Sequence, residues 1–205
     1  MRCDHIVLAV VVAIATQGIS AAPKGEKLTR AFGFRLGEGT LNDVQKKLGR
    51  AELVEKGEAG EYQASVCYDV VDRGIRLIFL SNELGGDGHD LLGFGIEPIQ
   101  HDGRPCGVLS RQFNRHHDLR IGGIRLGSSR AEVERVTGPL REIGDGRVEA
   151  SFEYRKRMSR RQIDLMRRDG TVPPADAMYD ESIFVEPRFV DGRLVALEVW
   201  KTETN

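Results

Sequence analysis

The chain has 205 residues, a length typical of one or two domains of roughly 100–200 residues each. Hydrophobic residues make up 40% of the sequence and charged residues 30%, which indicates a soluble globular protein with a buried core. The formal net charge is −1, from 30 Lys and Arg residues against 31 Asp and Glu residues. This balance argues against a dedicated nucleic-acid-binding protein, which usually carries a basic excess.

The N-terminus has the pattern of an export signal. Residues 6–15 form an uncharged apolar run, about half of the ~20 residues that a membrane-spanning helix needs. The small residues that follow this run are Gly18, Ser20, Ala21 and Ala22. We interpret residues 1–21 as a cleaved signal peptide, rather than as a buried strand or helix of the fold. The expected location is the periplasm or the extracellular medium, with no transmembrane anchor in the mature chain. Cys3 precedes the apolar run, so no lipid anchor is expected.

A linker at 22–33 leads to a first folding unit at 34–100, which begins with a short capped helix. Thr40 and Asp43 have the spacing of a capping box, in which the hydroxyl accepts from the backbone N–H three residues on and the carboxylate reaches back. Gly49 ends the helix, since glycine adopts the left-handed closing conformation at little cost. The apolar stripe of this helix is Leu41, Val44 and Leu48.

The rest of the first unit is predicted to be an antiparallel meander. Tyr62, Ala64, Val66 and Tyr68 alternate with polar residues and Cys67, a period of two that predicts a half-buried strand. Further strands are predicted at Ile75–Leu80 and Leu91–Ile96, with turn composition between them.

A linker at 101–122 follows and contains histidines. Without the signal peptide two cysteines remain, Cys67 and Cys106, and an even count in an oxidising compartment permits a disulfide. Closing a loop of about 40 residues would stabilise the fold by roughly 4 kcal/mol in the chain-entropy model. Two free buried thiols are the alternative. A zinc site is less favoured, because neither cysteine belongs to a Cys-x-x-Cys pair.

The second unit, at 123–201, repeats the first in the same order. Ser129 and Glu132 have the capping-box spacing, Val133 follows at once, and Gly138 ends the helix. The strands are predicted at Val148–Tyr154, Ile183–Val185 and Leu194–Trp200, and the sequence Ala-Ser-x-x-Tyr occurs at both 64–68 and 150–154. Each unit is therefore predicted to be α+β: a short capped helix packed on a three- to four-stranded antiparallel sheet.

A basic helical insertion at about 159–181 interrupts the second unit. Ser159 and Gln162 can cap a helix with Ile163 and Met166 on its apolar side. The candidate contact residues here are Arg157, Arg160, Arg161, Arg167 and Arg168. They favour an acidic partner or an anionic envelope surface, since the guanidinium group binds carboxylates and phosphates well. The alternative is a solvated helix at an edge of the sheet.

The repeated Leu-Gly start with a following Ser or Thr, the short helix ending in Gly or Gly-Pro, and the tyrosine-bearing meander resemble the beta-lactamase-inhibitor-protein-like fold. That fold includes secreted inhibitors with two tandem units and the small outer-membrane lipoprotein of the barrel assembly machinery, with one. The resemblance covers about Phe34 to Trp200 and implies a protein-binding scaffold. It transfers no functional residue, because the chain has no cysteine placed for lipidation and no defined inhibitory loop.

Few residues suggest catalysis. Four of the five histidines lie between residues 89 and 117 and can titrate or bind metal, but they form no His-x-x-x-His helix motif and are expected to be solvated loop residues. Ser65 and Ser151 lack a Gly-x-Ser-x-Gly context. We predict no catalytic, cofactor-binding or metal-binding residue. A metal-dependent or hydrolytic envelope enzyme that uses the central histidines is the alternative.

The predicted function is therefore an exported, non-catalytic protein-binding module, either an inhibitor or an envelope-associated adaptor. Its partner is expected to be another envelope or secreted protein, and not nucleic acid. The aromatic candidates for contact are Tyr62, Tyr68, Tyr154 and Trp200, with a core role as the alternative for each.

Overall fold

The computed structural model describes residues 24–100, 102–109, 113, 118–144, 146–168 and 170–204. The predicted signal peptide at 1–21 lies outside the described residues, and so do His101, His116 and His117. No helix in the described part of the chain has the length and hydropathy needed to cross a membrane.

Each described α-helix is short. They are α1 (Leu41–Leu48), α2 (Arg130–Thr137) and α3 (Arg160–Arg168), and a 3-10 helix at Lys24–Thr29 precedes them. The hydroxyl of Thr40 accepts from the backbone N–H of Asp43, and the Asp43 carboxylate accepts from the backbone N–H of Thr40. Ser129 and Glu132 form the same two hydrogen bonds before α2. The Ser159 backbone N–H donates to Gln162 before α3. Side-chain capping therefore satisfies backbone donors at the start of every one of these helices.

The strands are β1 (Arg30–Ala31), β2 (Phe34–Arg35), β3 (Val54–Lys56), β4 (Gln63–Val70), β5 (Ile75–Asn82), β6 (Gly93–Pro98), β7 (Gly107–Val108), β8 (Arg141–Gly144), β9 (Arg147–Arg157), β10 (Met178–Val190) and β11 (Arg193–Thr204). β1 and β2 form a small separate hairpin, and the other strands form one sheet. The prediction of an α+β fold with antiparallel strands is confirmed.

The large sheet is continuous, in the order β3-β4-β5-β6-β11-β10-β9-β8, with every neighbouring pair in that path antiparallel. β6 and β11 join its two halves through the pairs Ile96↔Leu197 and Phe94↔Val199. The short β7 adds to β4 in parallel. The strands predicted for the two units thus share one set of backbone hydrogen bonds instead of forming two separate sheets.

One face of this sheet carries the main core. Alternate residues of the strands, such as Phe79, Ile96 and Val199, are fully or almost fully buried there. Val44 from α1 and Val133 from α2 belong to the same hydrophobic cluster. The period of two in each strand therefore sends the other set of side chains to the opposite face.

Candidate functional site: the open face of the sheet

The face opposite the main core is the open face, defined by the strand residues that alternate with the core residues. On β5, Ile78 and Leu80 lie on it and alternate with the core residues Leu77 and Phe79. Cys67, Cys106 and Trp200 pack with Ile78 and Leu80 in a second, smaller hydrophobic cluster on this face. The sheet thus has apolar side chains on both faces.

Trp200 is the sole tryptophan of the sequence, and the sheet fixes its position. Its ring lies against Gly93 on the neighbouring strand, where an added Cβ would be 2.9 Å from Trp200 Cε3. The indole Nε1 donates to Glu198 Oε2 at 3.3 Å. On the other neighbouring strand Trp200 pairs with Phe184, and both side chains are half-buried. These two cross-strand partners, both reached by solvent, are called the aromatic pair.

A cavity of about 400 Å³ adjoins this aromatic pair. It is lined by Gly60, Glu61, Tyr62, Gln63, Asn82, Phe184, Glu186, Trp200 and Thr202. Its charged lining residues are the two glutamates. The cavity therefore combines aromatic surface, amide groups and negative charge.

Four glutamates occupy the open face on successive strands. They are Glu149 on β9, Glu186 on β10, Glu198 on β11 and Glu97 on β6. The outer two have cationic neighbours: Glu149 pairs with Arg141, and the buried Oε1 of Glu97 lies 3.1 Å from Arg104 Nη2, although without hydrogen-bond geometry. Within the described residues, no ion pair joins either inner glutamate to a lysine or arginine.

Glu186 and Glu198 are direct cross-strand partners. Burial raises the pKa of Glu198 above its ordinary value, and the negative charges of Glu186 and Glu97 act in the same direction. The hydrogen bond from Trp200 and the positive charge of Arg188 act in the opposite direction and do not outweigh them. The middle of the row is thus a site where negative charge is unfavourable in the free protein.

An ionic network holds the segment after β6 against the same face. The Arg76 guanidinium, 2% exposed, bonds Asp69 at 2.8 Å and Asp102 at 3.0 Å. Arg104 Nε donates to Oδ2 of Asp102 at 2.6 Å. Burial acts to raise the pKa of Asp102, but the bonds from Arg76 and Arg104 outweigh it and hold that pKa well below its ordinary range.

Cys67 and Cys106 form a disulfide, which confirms the predicted pairing. Cys67 is on β4 and Cys106 directly precedes β7, so the bond ties the segment after β6 to the sheet at a second point. The linker therefore contributes to the open face.

Among the histidines, the structure describes only His89, whose side chain lies near Tyr62 and Glu55. Tyr62 donates to Glu55, and His89 Nδ1 lies 3.4 Å from the Tyr62 hydroxyl. The bond to Glu55 raises the pKa of Tyr62 to about 12. No group of three or more His, Cys, Asp or Glu side chains within the described ranges is arranged to hold a metal ion.

The aromatic residues singled out from the sequence fall on different sides of the sheet. Tyr62 and Trp200 line the cavity. Tyr68 is a core residue, 1% exposed, whose hydroxyl donates to the Gly49 carbonyl at 2.7 Å. Tyr154 packs against the main core and accepts from the backbone N–H of Gly25. The structure thus brings together two of the four.

The predicted basic residues lie at the far end of the long β9–β10 hairpin. Arg157 ends β9, and the exposed side chains of Arg160, Arg167 and Arg168 belong to α3. Arg161 is in the same helix, and its side chain is outside the described set. Glu186 lies eight residues beyond Met178, the partner of Arg157, which is about 27 Å along a strand. The basic tip and the glutamate row are therefore separate surfaces.

Sequence reasoning missed Phe184, Glu186 and Glu198. A signal was present: Phe184 stands between the core residues Ile183 and Val185, so an aromatic residue occupies the face that alternation assigns to polar residues. Glu198 is two residues before Trp200 on β11, so both side chains lie on the same face of the sheet. The cross-strand register that joins these residues is not readable from either strand alone. Comparison of the chain with protein-family models, with curated proteins and with solved structures gave no match.

Proposed function

We propose that the protein is an exported, non-catalytic binding module whose open face contacts another envelope or secreted protein. The observation that carries the proposal is the solvent-accessible pair Phe184 and Trp200, held beside a cavity in the middle of a continuous sheet. Large aromatic side chains supply much of the binding energy in protein interfaces, especially near their centres. Export is inferred from the signal-like N-terminus, and the disulfide fits an oxidising compartment.

A two-unit organisation supports this reading. We infer that β3–β6 and β8–β11 are tandem copies, each preceded by a capped helix, because the strand order reads outward in the same way from the β6–β11 junction. Joining the copies places the last strand of each at the centre of the sheet. The central strands thereby present a broader surface than one unit alone, as expected for the tandem inhibitor fold that the sequence resembles.

Capture from envelope extract tests the proposal. The double variant F184S/W200S removes both rings, and E153Q, a conservative change at an exposed open-face position on β9, is the matched control. We expect the same protein to be captured by the wild type and by E153Q and lost with the double variant, while circular dichroism shows all three folded. A partner retained by the folded double variant, or no partner enriched in repeated trials, would refute the proposal.

The basic hairpin tip is a second candidate contact surface. Of the exposed arginines of α3, Arg167 lines a cavity of about 600 Å³, together with residues that include Ile163, Val172 and Pro173. Contacts through exposed charges weaken with salt, since the Debye length is about 10 Å at 0.1 M ionic strength. If this tip binds an anionic surface, capture by vesicles of anionic lipid will fall steeply between about 50 and 300 mM salt, and R160Q/R167Q/R168Q will abolish it. Vesicle binding equal in the triple variant and the wild type would exclude this role.

A further inference from the structure

The open face holds two glutamates in an arrangement that costs the free protein stability. Glu186 and Glu198 are direct cross-strand partners on the same face, and like charges in that position destabilise a sheet. Glu97 lies on the next strand, 8% exposed, and forms an ion pair with Arg104 at 3.1 Å, although its Oε1 accepts no hydrogen bond from the described residues. All three glutamates line one cavity of about 440 Å³.

Aromatic surface lies directly beside these carboxylates. Phe184 is two residues before Glu186, and Trp200 is two residues after Glu198, so each ring is on the same face as its glutamate, about 7 Å along the strand. Phe184 and Trp200 are themselves partners. A two-by-two block therefore has rings on one side and carboxylates on the other.

The charges around this block differ between its glutamate side and its aromatic side. Arg147 and Arg188 line the cavity beyond the glutamates, where a second cation would be repelled. The cavity on the aromatic side has Glu61 and Glu186 as its charged lining residues. A positively charged group can thus approach over the rings and meet carboxylates without passing an arginine.

We propose that this block binds an arginine side chain presented by the protein partner, with its stem on Phe184 and Trp200 and its guanidinium group at Glu186 and Glu198. The inference rests on the proposed function and names the chemistry that the partner must supply. The apolar stem of an arginine packs on aromatic rings, and its planar guanidinium group forms paired hydrogen bonds with carboxylates, whereas a lysine ammonium acts only as a point charge.

The sole tryptophan provides a direct reporter. We would titrate the full protein with the peptide Ac-Gly-Arg-Gly-NH2 and follow Trp200 fluorescence and the indole N–H resonance. The matched peptide with citrulline keeps the shape of arginine without its charge, and a lysine peptide separates guanidinium recognition from simple attraction. We expect a saturable response to arginine, a response at least about tenfold weaker to lysine, and none to citrulline.

Substitution of the glutamates completes the test. E186Q and E198Q keep side-chain size, so we expect folded proteins with the arginine affinity reduced at least about tenfold, whereas E153Q leaves it unchanged. E198Q should also raise the melting temperature of the free protein. Equal responses to arginine and citrulline, or an unchanged affinity in both glutamine variants, would overturn this inference. The docking proposal would stand in that case if F184S/W200S still lost the captured partner, so the two failures are distinguishable.

Discussion

Val44 in α1 and Val133 in α2 share one core: each is the fourth residue after its helix cap, each is fully buried, and both belong to one hydrophobic cluster. The caps Thr40 and Ser129 set where each helix begins, and so they set which side chain meets the sheet. The two helices are thereby coupled through a common core, although about ninety residues separate them in sequence.

This coupling predicts a single unfolding transition. V44A and V133A should each lower the free energy of unfolding by about 2 kcal/mol, because each removes methyl groups from a fully buried site. Urea unfolding followed by Trp200 fluorescence measures both, and V44A should shift the midpoint although Trp200 lies in the other half of the sheet. The exposed V71A is the control and should change stability by less than about 0.5 kcal/mol. Two resolved transitions would contradict a shared core.

The sequence predicts the helix caps and the strand alternation because each depends on residues a few positions apart. It predicts the disulfide because only two cysteines remain after the predicted signal peptide. The junction of β6 with β11 depends instead on which strands pair across the sheet, and no sequence pattern near Ile96 or Leu197 specifies that pairing by itself. The candidate site follows the same division. Trp200 was identifiable as a large aromatic residue, whereas the opposition of Glu186 and Glu198 arises from register across a hairpin that contains the α3 insertion.

Reduction of the Cys67–Cys106 bond should destabilise the whole protein. The bond closes a loop with a sequence separation of 39 residues, and in the chain-entropy model its loss costs about 4 kcal/mol. We expect dithiothreitol to lower the melting temperature of the wild type and to leave that of C67S/C106S unchanged. Thiol labelling checks that reduction is complete. A fully reduced wild type with an unaltered melting temperature would show that the Arg76 network alone holds the linker.

The Asp102 carboxylate should contribute to stability in a defined pH range. Its pKa in the folded protein lies below the ordinary value of 3.8, so the folded state favours the ionised form. That contribution is present above about pH 4 and is lost as the pH falls through the lowered pKa. D102N should therefore be less stable than the wild type at pH 7, with a difference that shrinks below about pH 4. Melting temperatures across this range measure it, with the exposed D164N as control. A constant difference down to pH 2 would assign the effect to packing instead of charge.

Gly93 should be required for the position of the Trp200 ring. An added Cβ would lie 2.9 Å from Trp200 Cε3 and 3.0 Å from Leu80 Cβ, closer than packed carbon atoms tolerate. G93A should displace the indole, shift the Trp200 emission maximum to longer wavelength and weaken arginine-peptide binding, at a stability cost of about 1–3 kcal/mol. G88A is the matched control, because its nearest neighbour is 4.0 Å away. If G93A kept both the emission maximum and the peptide affinity of the wild type, close packing on β6 would not be what orients the ring. The partner's side chain would then meet an indole positioned by the Glu198 hydrogen bond, and E198A, which removes the acceptor, would shift the emission by itself.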